Sequence, residues 1–248
     1  MPRSGPAAGR WTRNGRSVAG RPFLWPALAA ATMLTAAAPA PDERHVMISA
    51  VERMRVSGRF DVEVRGGAPG VTLIGPRNAL LTLYVRGEGG TLTIGNGNRR
   101  VSEGERIRVI VSTPALRSIS SSGGANVSVA RLRAPRIDLS LQDKGSLTIG
   151  ELRTDDLHVT HLGSGAITLA GTAVKLRASG SGDAAIVAAK LLANDAVLLW
   201  QGNGDLSVGV RYTAQVSNNG KGQVTVLGNP ECKPRGPGPI ACGAPKPR

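Results

Sequence analysis

The feature that most constrains the fold is a short motif that recurs along the second half of the chain. Six segments combine a glycine-containing corner with a run of alternating apolar and small polar residues. They span residues 122–129, 142–149, 162–169, 179–186, 201–208 and 219–226. Aligning the second small residue of each corner gives Ala125, Gly145, Gly165, Gly182, Gly204 and Gly222, with steps of 20, 20, 17, 22 and 18 residues. A period of this size is typical of a solenoid.

Aliphatic residues recur at fixed places in every unit. Two positions after the aligned residue lie Val127, Leu147, Ile167, Ala184, Leu206 and Val224. Four positions after it lie Val129, Ile149, Leu169, Ile186, Val208 and Val226, and six before it lie Ile119, Leu139, Val159, Leu176, Leu198 and Val216. Alternate side chains of a strand point to opposite faces, so each unit has an apolar face that it cannot bury alone. Stacking the units would bury these faces in one core.

The pattern predicts an all-β chain folded as a parallel β-helix with about 20 residues per coil. An antiparallel β-sandwich or barrel is the alternative, because glycine-containing corners are also hairpin signals. The register of several columns over six units favours the solenoid. We expect the corner glycines to allow positive φ and close approach between coils. They are Gly145, Gly163, Gly165, Gly180, Gly182, Gly202, Gly204, Gly220 and Gly222.

Composition agrees with a glycine-cornered, aliphatic solenoid. The 248 residues include 33 glycines but only 3% aromatic residues, so the core must consist of Val, Ile and Leu. The formal net charge is +14, from 31 basic and 17 acidic residues. Few aromatic residues accompany this positive charge, which argues against binding to single-stranded nucleic acid.

The amino terminus has the pattern of a secretory signal peptide. Residues 1–22 contain five arginines and no acid, and an apolar run follows at 23–38. We therefore assign residues 1–40 to a signal peptide. Its removal would leave 26 basic and 17 acidic residues, a net charge of +9. No later run reaches the length of a membrane span, so we expect that the mature chain does not span a membrane. The signal pattern predicts an exported protein located in the periplasm, on the outer-membrane surface or outside the cell.

The remaining boundaries follow from the repeat. We expect an N-terminal β cap or irregular first coils at 41–112, solenoid repeats at 113–228, and a proline-rich tail at 229–248. The tail contains Cys232 and Cys242, ten residues apart. In an exported protein these two cysteines predict a disulfide that fastens the chain end.

The corner motifs at 122–127, 179–183 and 201–205, with residues 114–119 and 60–64, resemble the head GIN domain family. Its members are bacterial exported proteins described as putative auto-transporter adhesins. The resemblance covers roughly residues 50–228. It implies that the β-helix is right-handed and lies at the envelope or surface, and it brings no catalytic residues. Ala125 departs from the second glycine of the motif, and residues 142–145 lack the first.

Candidate ligand-binding residues lie at or near the corners. Asp183 and Asp205 share one aligned column, with Asn126 in an earlier unit. In adjacent coils the two carboxylates would stand about 5 Å apart, the spacing of a retaining glycosidase pair. The favoured interpretation is structural, since corner aspartates commonly accept hydrogen bonds from backbone N–H groups. Trp200 either packs in the wall or stacks on a sugar.

Other chemical motifs are weak. His158 and His161 lie three apart, which in a strand places them on opposite faces, so we expect neither a metal site nor a cofactor. The arginines at 131, 133 and 136 are interpreted as a solvated corner. The sequence therefore predicts a non-enzymatic binding, adhesion or scaffold module at the cell envelope, with anionic polysaccharide or a surface component as partner. A polysaccharide-active enzyme and a purely structural envelope protein are the alternatives, and oligomerisation stays open.

Overall fold

A computed structural model describes residues 42–96 and 107–244. The described residues belong to one compact unit, Ala40–Arg248. The predicted signal peptide at 1–40 lies outside the described residues. Within them the chain is all-β except for a short helix, α1 (Arg77–Thr82).

The amino-terminal strands are short, and the longest strands run through the central repeats. In chain order they are β1 (Asp42–Val46), β2 (Arg53–Ser57), β3 (Phe60–Arg65), β4 (Gly70–Gly75), β5 (Leu83–Glu88), β6 (Thr91–Asn96), β7 (Ile107–Ser112), β8 (Ser118–Ser122), β9 (Asn126–Arg133), β10 (Arg136–Asp143), β11 (Ser146–Gly163), β12 (Ala166–Gly182), β13 (Ala185–Gly202), β14 (Leu206–Asn218), β15 (Val224–Leu227), β16 (Glu231–Arg235) and β17 (Ile240–Ala244).

Parallel pairing of each coil with the next builds a β-helix. Strand β11 pairs with β12, β12 with β13, and β13 with β14, in parallel throughout. Leu147 thus lies level with Val127 in one neighbouring coil and Ile167 in the other, and all three are buried. The predicted parallel β-helix is confirmed, and the antiparallel sandwich is not formed.

The predicted alignment of the fourth unit was wrong by two residues. Ile186 pairs with Ile167 and with Leu206, so Ala184, not Gly182, is equivalent to Gly165 and Gly204. The steps between equivalent corner residues become 20, 20, 19, 20 and 18. The same shift replaces Leu176 by Ala178 in the column that contains Val159 and Leu198. The error arose because the Gly-Ser-Gly sequence at residues 180–182 resembles a corner, whereas the chain makes its corner at residues 182–184.

Each coil also contains a third, short extended run that the repeat pattern did not reveal. The strict alternation of buried and exposed residues breaks after the first four or five residues of each long strand, and the pairing register shifts there. Beyond the break one or two further side chains of each coil enter the core. These residues are Leu132, Leu152 with Thr154, Ala173, Leu191 with Ala193, and Val210.

The amino-terminal strands are stacked out of chain order. Strands β2 and β3 form a coil that lies between the coil of β6–β7 and the coil of β8–β9. Beyond β6 and β7 the pairing becomes antiparallel, with β5 on β6, β4 on β7 and β1 on β4. A change of direction at this end interrupts the parallel ladder and limits open-edge pairing with another chain.

The carboxyl-terminal segment forms a last coil. Strand β16 pairs with β14, and β17 pairs with β15. Pro234 lies in β16, where a missing N–H is tolerated because this is an edge strand among the described residues. A disulfide joins Cys232 in β16 to Cys242 in β17, with a Cα–Cα distance of 6.4 Å, which confirms the predicted pairing. Among the described residues, no helix has the length and apolarity that a membrane span requires.

Candidate functional site

The glycine corners stack so closely that backbone lies on backbone. A β-carbon on Gly222 would collide with the carbonyl of Gly204, and one on Gly204 would collide with that of Ala184. Of the nine predicted corner glycines, three have a positive φ. These are Gly145, Gly163 and Gly182. Close approach between neighbouring coils is therefore the more general reason for glycine here.

The predicted pair of stacked carboxylates is not formed. Because the fourth corner is shifted, Asp183 lies beside Asn203, whose Nδ2 donates a hydrogen bond of 3.0 Å to the Asp183 carboxylate. Asp205 lies level with Ala185 and accepts a hydrogen bond of 2.9 Å from the backbone N–H of Gln223. The two aspartates are two residues out of register along neighbouring coils. Each carboxylate instead accepts a hydrogen bond from a residue of the neighbouring corner.

Asn126 also has its side chain committed to neighbouring coils. Its Nδ2 donates to Oδ1 of Asp61 at 2.9 Å, and its Oδ1 accepts from the Ser146 hydroxyl at 3.1 Å. The three side chains form a polar ladder on the outer surface. A ligand at this position would have to displace hydrogen bonds that the coils already make.

Trp200 packs in the wall of the solenoid, the first of its two interpretations, and its buried side chain does not offer the exposed face that stacking on a sugar would require. Its side chain is fully buried, and its Nε1 donates a hydrogen bond of 2.8 Å to the carbonyl of Gly204. Asn218 is level with it in the next coil and donates to the carbonyl of Gly222 in the same way, at 2.9 Å. These bonds tie the end of a strand to the corner that follows it.

His161 lies in the same inward column, between Leu141 and Gly180. It is fully buried, and neither ring nitrogen has a hydrogen-bond partner of ordinary geometry. Burial lowers the pKa of His161, and the backbone of Ala185 opposes this only in part. His158 lies outside, 3.5 Å from Nη1 of Arg177. Within residues 42–96 and 107–244, no group of three His, Cys, Asp or Glu side chains could hold a metal ion.

Basic side chains gather at a different corner, where β9 and β11 enter their short runs. Arg131 Nε and Arg133 Nη2 both donate to the carboxylate of Glu151, at 2.8 and 2.6 Å. These hydrogen bonds, first from Arg133 and then from Arg131, hold the pKa of Glu151 below its usual range. The single negative charge of Glu151 therefore balances only part of the positive charge of the two guanidinium groups.

The next coil adds a further arginine to this corner. Arg153 lies level with Arg133 in the parallel pairing of β9 with β11, and both side chains are exposed. Neighbouring coils are separated by about 4.8 Å, so these two like charges face each other at close range. No described carboxylate forms an ion pair with Arg153.

A depression of about 560 Å³ lies beside these residues. Arg65 from β3 contributes a further guanidinium to it, and Leu116 and Leu132, both almost fully buried, contribute its apolar floor. Arg65 is itself held by Glu63, which also binds Arg108. Hydrogen bonds from Arg65 and then Arg108 lower the pKa of Glu63 to about 2. We call this depression, with Arg65, Arg131 and Arg133 in its lining and Arg153 beside it, the arginine cleft.

The sequence interpretation of this corner was incomplete. Arg136 lies on another run of the coil, where it pairs with Asp138 at 3.3 Å. Arg153 was missed, although its distance of one coil repeat from Arg133 is visible in the sequence. Arg65 could not be found in this way, because its coil is inserted out of chain order between β7 and β9.

A family model described as "Putative auto-transporter adhesin, head GIN domain" matches residues 51–230. The chain belongs to the head GIN domain family. The resemblance noted in the corner motifs is thereby confirmed. A search of curated proteins finds no match to this head GIN domain protein.

Solved structures share the fold at low sequence identity. A protein described as a putative adhesin from Bacteroides fragilis has a TM-score of 0.77 and 20% identity, and the match covers 83% of this chain and 98% of that one. A second putative adhesin, from Parabacteroides distasonis, has a TM-score of 0.66 and 18% identity, with coverage of 82% and 96%. A "putative lipid binding protein" from the same species has a TM-score of 0.58 and 19% identity, with coverage of 82% and 96%.

Proposed function

We propose that this head GIN domain protein is an exported, non-enzymatic binding module of the bacterial cell envelope, and that its ligand is an acidic polysaccharide. The family description and the names of the structural neighbours support an adhesion-like role. Residues 1–40, which consist of a basic stretch followed by an apolar run, support export.

An acidic ligand is proposed because the ion-paired arginines on this surface outnumber the carboxylates that bind them. Glu63 binds Arg65 and Arg108, and Glu151 binds Arg131 and Arg133, so each carboxylate serves two guanidinium groups. Every one of these arginine side chains is at least half exposed to solvent. Positive charge of this kind attracts anionic polymers over a distance of about 10 Å at moderate ionic strength.

A polysaccharide-cleaving enzyme is a poorer explanation of the same surface. Its best candidates were Asp183 and Asp205, and both carboxylates accept hydrogen bonds at separate corners. A general acid requires a carboxyl group whose pKa is raised. The carboxyl groups with a resolved shift, Glu63 and Glu151, are both shifted downwards.

The proposal is tested with protein purified after secretion from an expression host. Calorimetric titration with polygalacturonate should show saturable binding that weakens as salt is added, whereas neutral dextran should show none. Intact bacterial cells should retain the protein in a sedimentation assay. A lack of binding to acidic polysaccharides and to cells would favour a purely structural role, and release of reducing sugar from the polymer would favour the enzyme.

A further inference from the structure

Contacts within the protein use only some of the N–H donors in the arginine cleft and leave part of its positive charge unbalanced. Arg133 and Arg153 lie side by side on adjacent coils, and like charges directly opposite each other destabilise a sheet. Glu151 is engaged by Arg131 and Arg133 through one hydrogen bond each. Since a guanidinium group has five N–H donors, most donors in the cleft stay available for an external anion.

Arginine favours a particular class of anion. Its planar group binds carboxylates and phosphates through two parallel N–H···O hydrogen bonds, as Lys does not. No lysine lines the depression, and the cations of the cleft come from three coils. Arg65 lies in one coil and Arg131 and Arg133 in the next, while Arg153, level with Arg133 but outside the lining, lies in a third. Cations in successive coils fit carboxylates repeated along a chain better than a single small anion.

The floor of the cleft adds a second requirement. Pro114 is exposed in the lining of the depression and gives it an apolar face, to which the almost fully buried Leu116 and Leu132 add little surface. A sugar ring presents C–H groups on its face and polar groups at its rim, so it can place its face on such an apolar surface while a carboxylate meets the guanidinium groups. A flat membrane surface would meet the rim of a depression but not its floor.

We infer that the arginine cleft is the binding site for carboxylate-bearing sugars of an acidic polysaccharide, an inference that rests on the proposed function. Arg133 and Arg153 bind successive carboxylates along the polymer. Arg65 and Arg131 bind at the rim, and the exposed ring of Pro114 contacts the sugar face. Glu151 competes with the ligand for Arg131 and Arg133.

The test compares two double variants of the secreted protein. In the cleft variant, Arg133→Gln and Arg153→Gln remove the two positive charges that face each other on adjacent coils. In the control variant, Lys175→Gln and Lys221→Gln remove the same charge from exposed positions outside the cleft. We expect the cleft variant to bind polygalacturonate at least about tenfold more weakly, the equivalent of about 1.4 kcal/mol, and the control variant to stay within about twofold of wild type. Both variants should keep the wild-type melting temperature.

A second measurement locates the ligand without any substitution. Phenylglyoxal modifies accessible guanidinium groups, and peptide mass spectrometry reports the modified fraction at each arginine. We expect polygalacturonate to protect Arg133 and Arg153 in the wild-type protein, while Arg177 on the opposite run of the coil stays reactive.

The outcomes separate the site from the function. If wild type binds polygalacturonate but both double variants weaken equally, or the cleft arginines stay unprotected, the site inference is overturned and the proposed function stands. If wild type binds no acidic polysaccharide, both are overturned. If it binds phosphatidylglycerol vesicles and not the polymer, the ligand is a membrane surface and the inference is wrong.

Discussion

The six-membered ring of the Trp200 indole lies directly against Gly180 in the neighbouring coil, in the space where a β-carbon would otherwise lie. Trp200 is the largest fully buried side chain of the protein among the residues described. The bulk of one coil is thus accommodated by the absence of a side chain in the next. Gly180 is required by packing, and its φ is not in the left-handed region.

Gly180→Ala should therefore destabilise the protein by about 1–3 kcal/mol, the usual cost of overpacking a core. The matched control is Gly70→Ala, since a β-carbon at Gly70 would have no atom within 4 Å and its φ is not positive. Chemical denaturation monitored by Trp fluorescence measures both. Equal stability of the two variants would show that the indole can move aside.

The architecture of the repeats could be read from the sequence because each column is chemically uniform. Apolar positions at period two within a unit and at about 20 between units leave few other ways to bury the aliphatic residues. The short third run could not be predicted, since it contributes only one or two buried residues per coil, too few to establish a period within the run. The insertion of β2–β3 between later coils was also hidden, because pairing distant in sequence has no local pattern.

His161 should make the protein sensitive to mild acid. Its pKa in the folded state lies below 6.5, its ordinary value, because burial penalises the charged ring. The unfolded chain then binds the proton first, so stability is complete above pH 6.5 and falls as the pH drops below that value towards the folded pKa. His161→Leu, which repeats Leu141 of the preceding coil, should abolish this part of the pH dependence.

The measurement is urea denaturation of wild type, His161→Leu and His158→Gln between about pH 7 and pH 5, the range in which histidine titrates. His158 lies on the outer surface, so its variant should follow the wild-type curve. Identical pH dependence in wild type and His161→Leu would contradict the assignment. Glu63, with its pKa of about 2, adds a loss of stability only at lower pH, below its ordinary value of 4.5.

The candidate site was less predictable than the fold for a related reason. A shift of two residues in one unit preserves inward and outward positions, so Asp183 and Asp205 could be aligned without violating the alternation. Only the pairing of Ile186 with both Ile167 and Leu206 excludes that alignment. The arginine cleft depends on residues from three coils, and one of these coils is out of chain order.

Removal of the disulfide should loosen the end of the solenoid and leave its centre intact. A bridge that closes a loop of this size contributes about 2–3 kcal/mol in the chain-entropy treatment. In a stacked array each coil contacts only its neighbours, so the loss should stay local. In the double variant Cys232→Ser and Cys242→Ser, hydrogen exchange should accelerate in β16 and β17 and remain slow in β11 and β12. Faster exchange throughout would show instead that the whole solenoid unfolds as one unit.

Glu151 gives the sharpest test of competition within the arginine cleft. Its carboxylate accepts hydrogen bonds from Arg131 and Arg133, the donors that an acidic polymer would need. Glu151→Gln removes the internal anion, so polygalacturonate should bind several-fold more tightly. The melting temperature should change little, because exposed ion pairs contribute about 0–1 kcal/mol. The matched control is Asp138→Asn, which releases Arg136 outside the cleft and should leave affinity unchanged. If both variants bind more tightly by the same factor, the gain reflects net charge and the cleft has no special role.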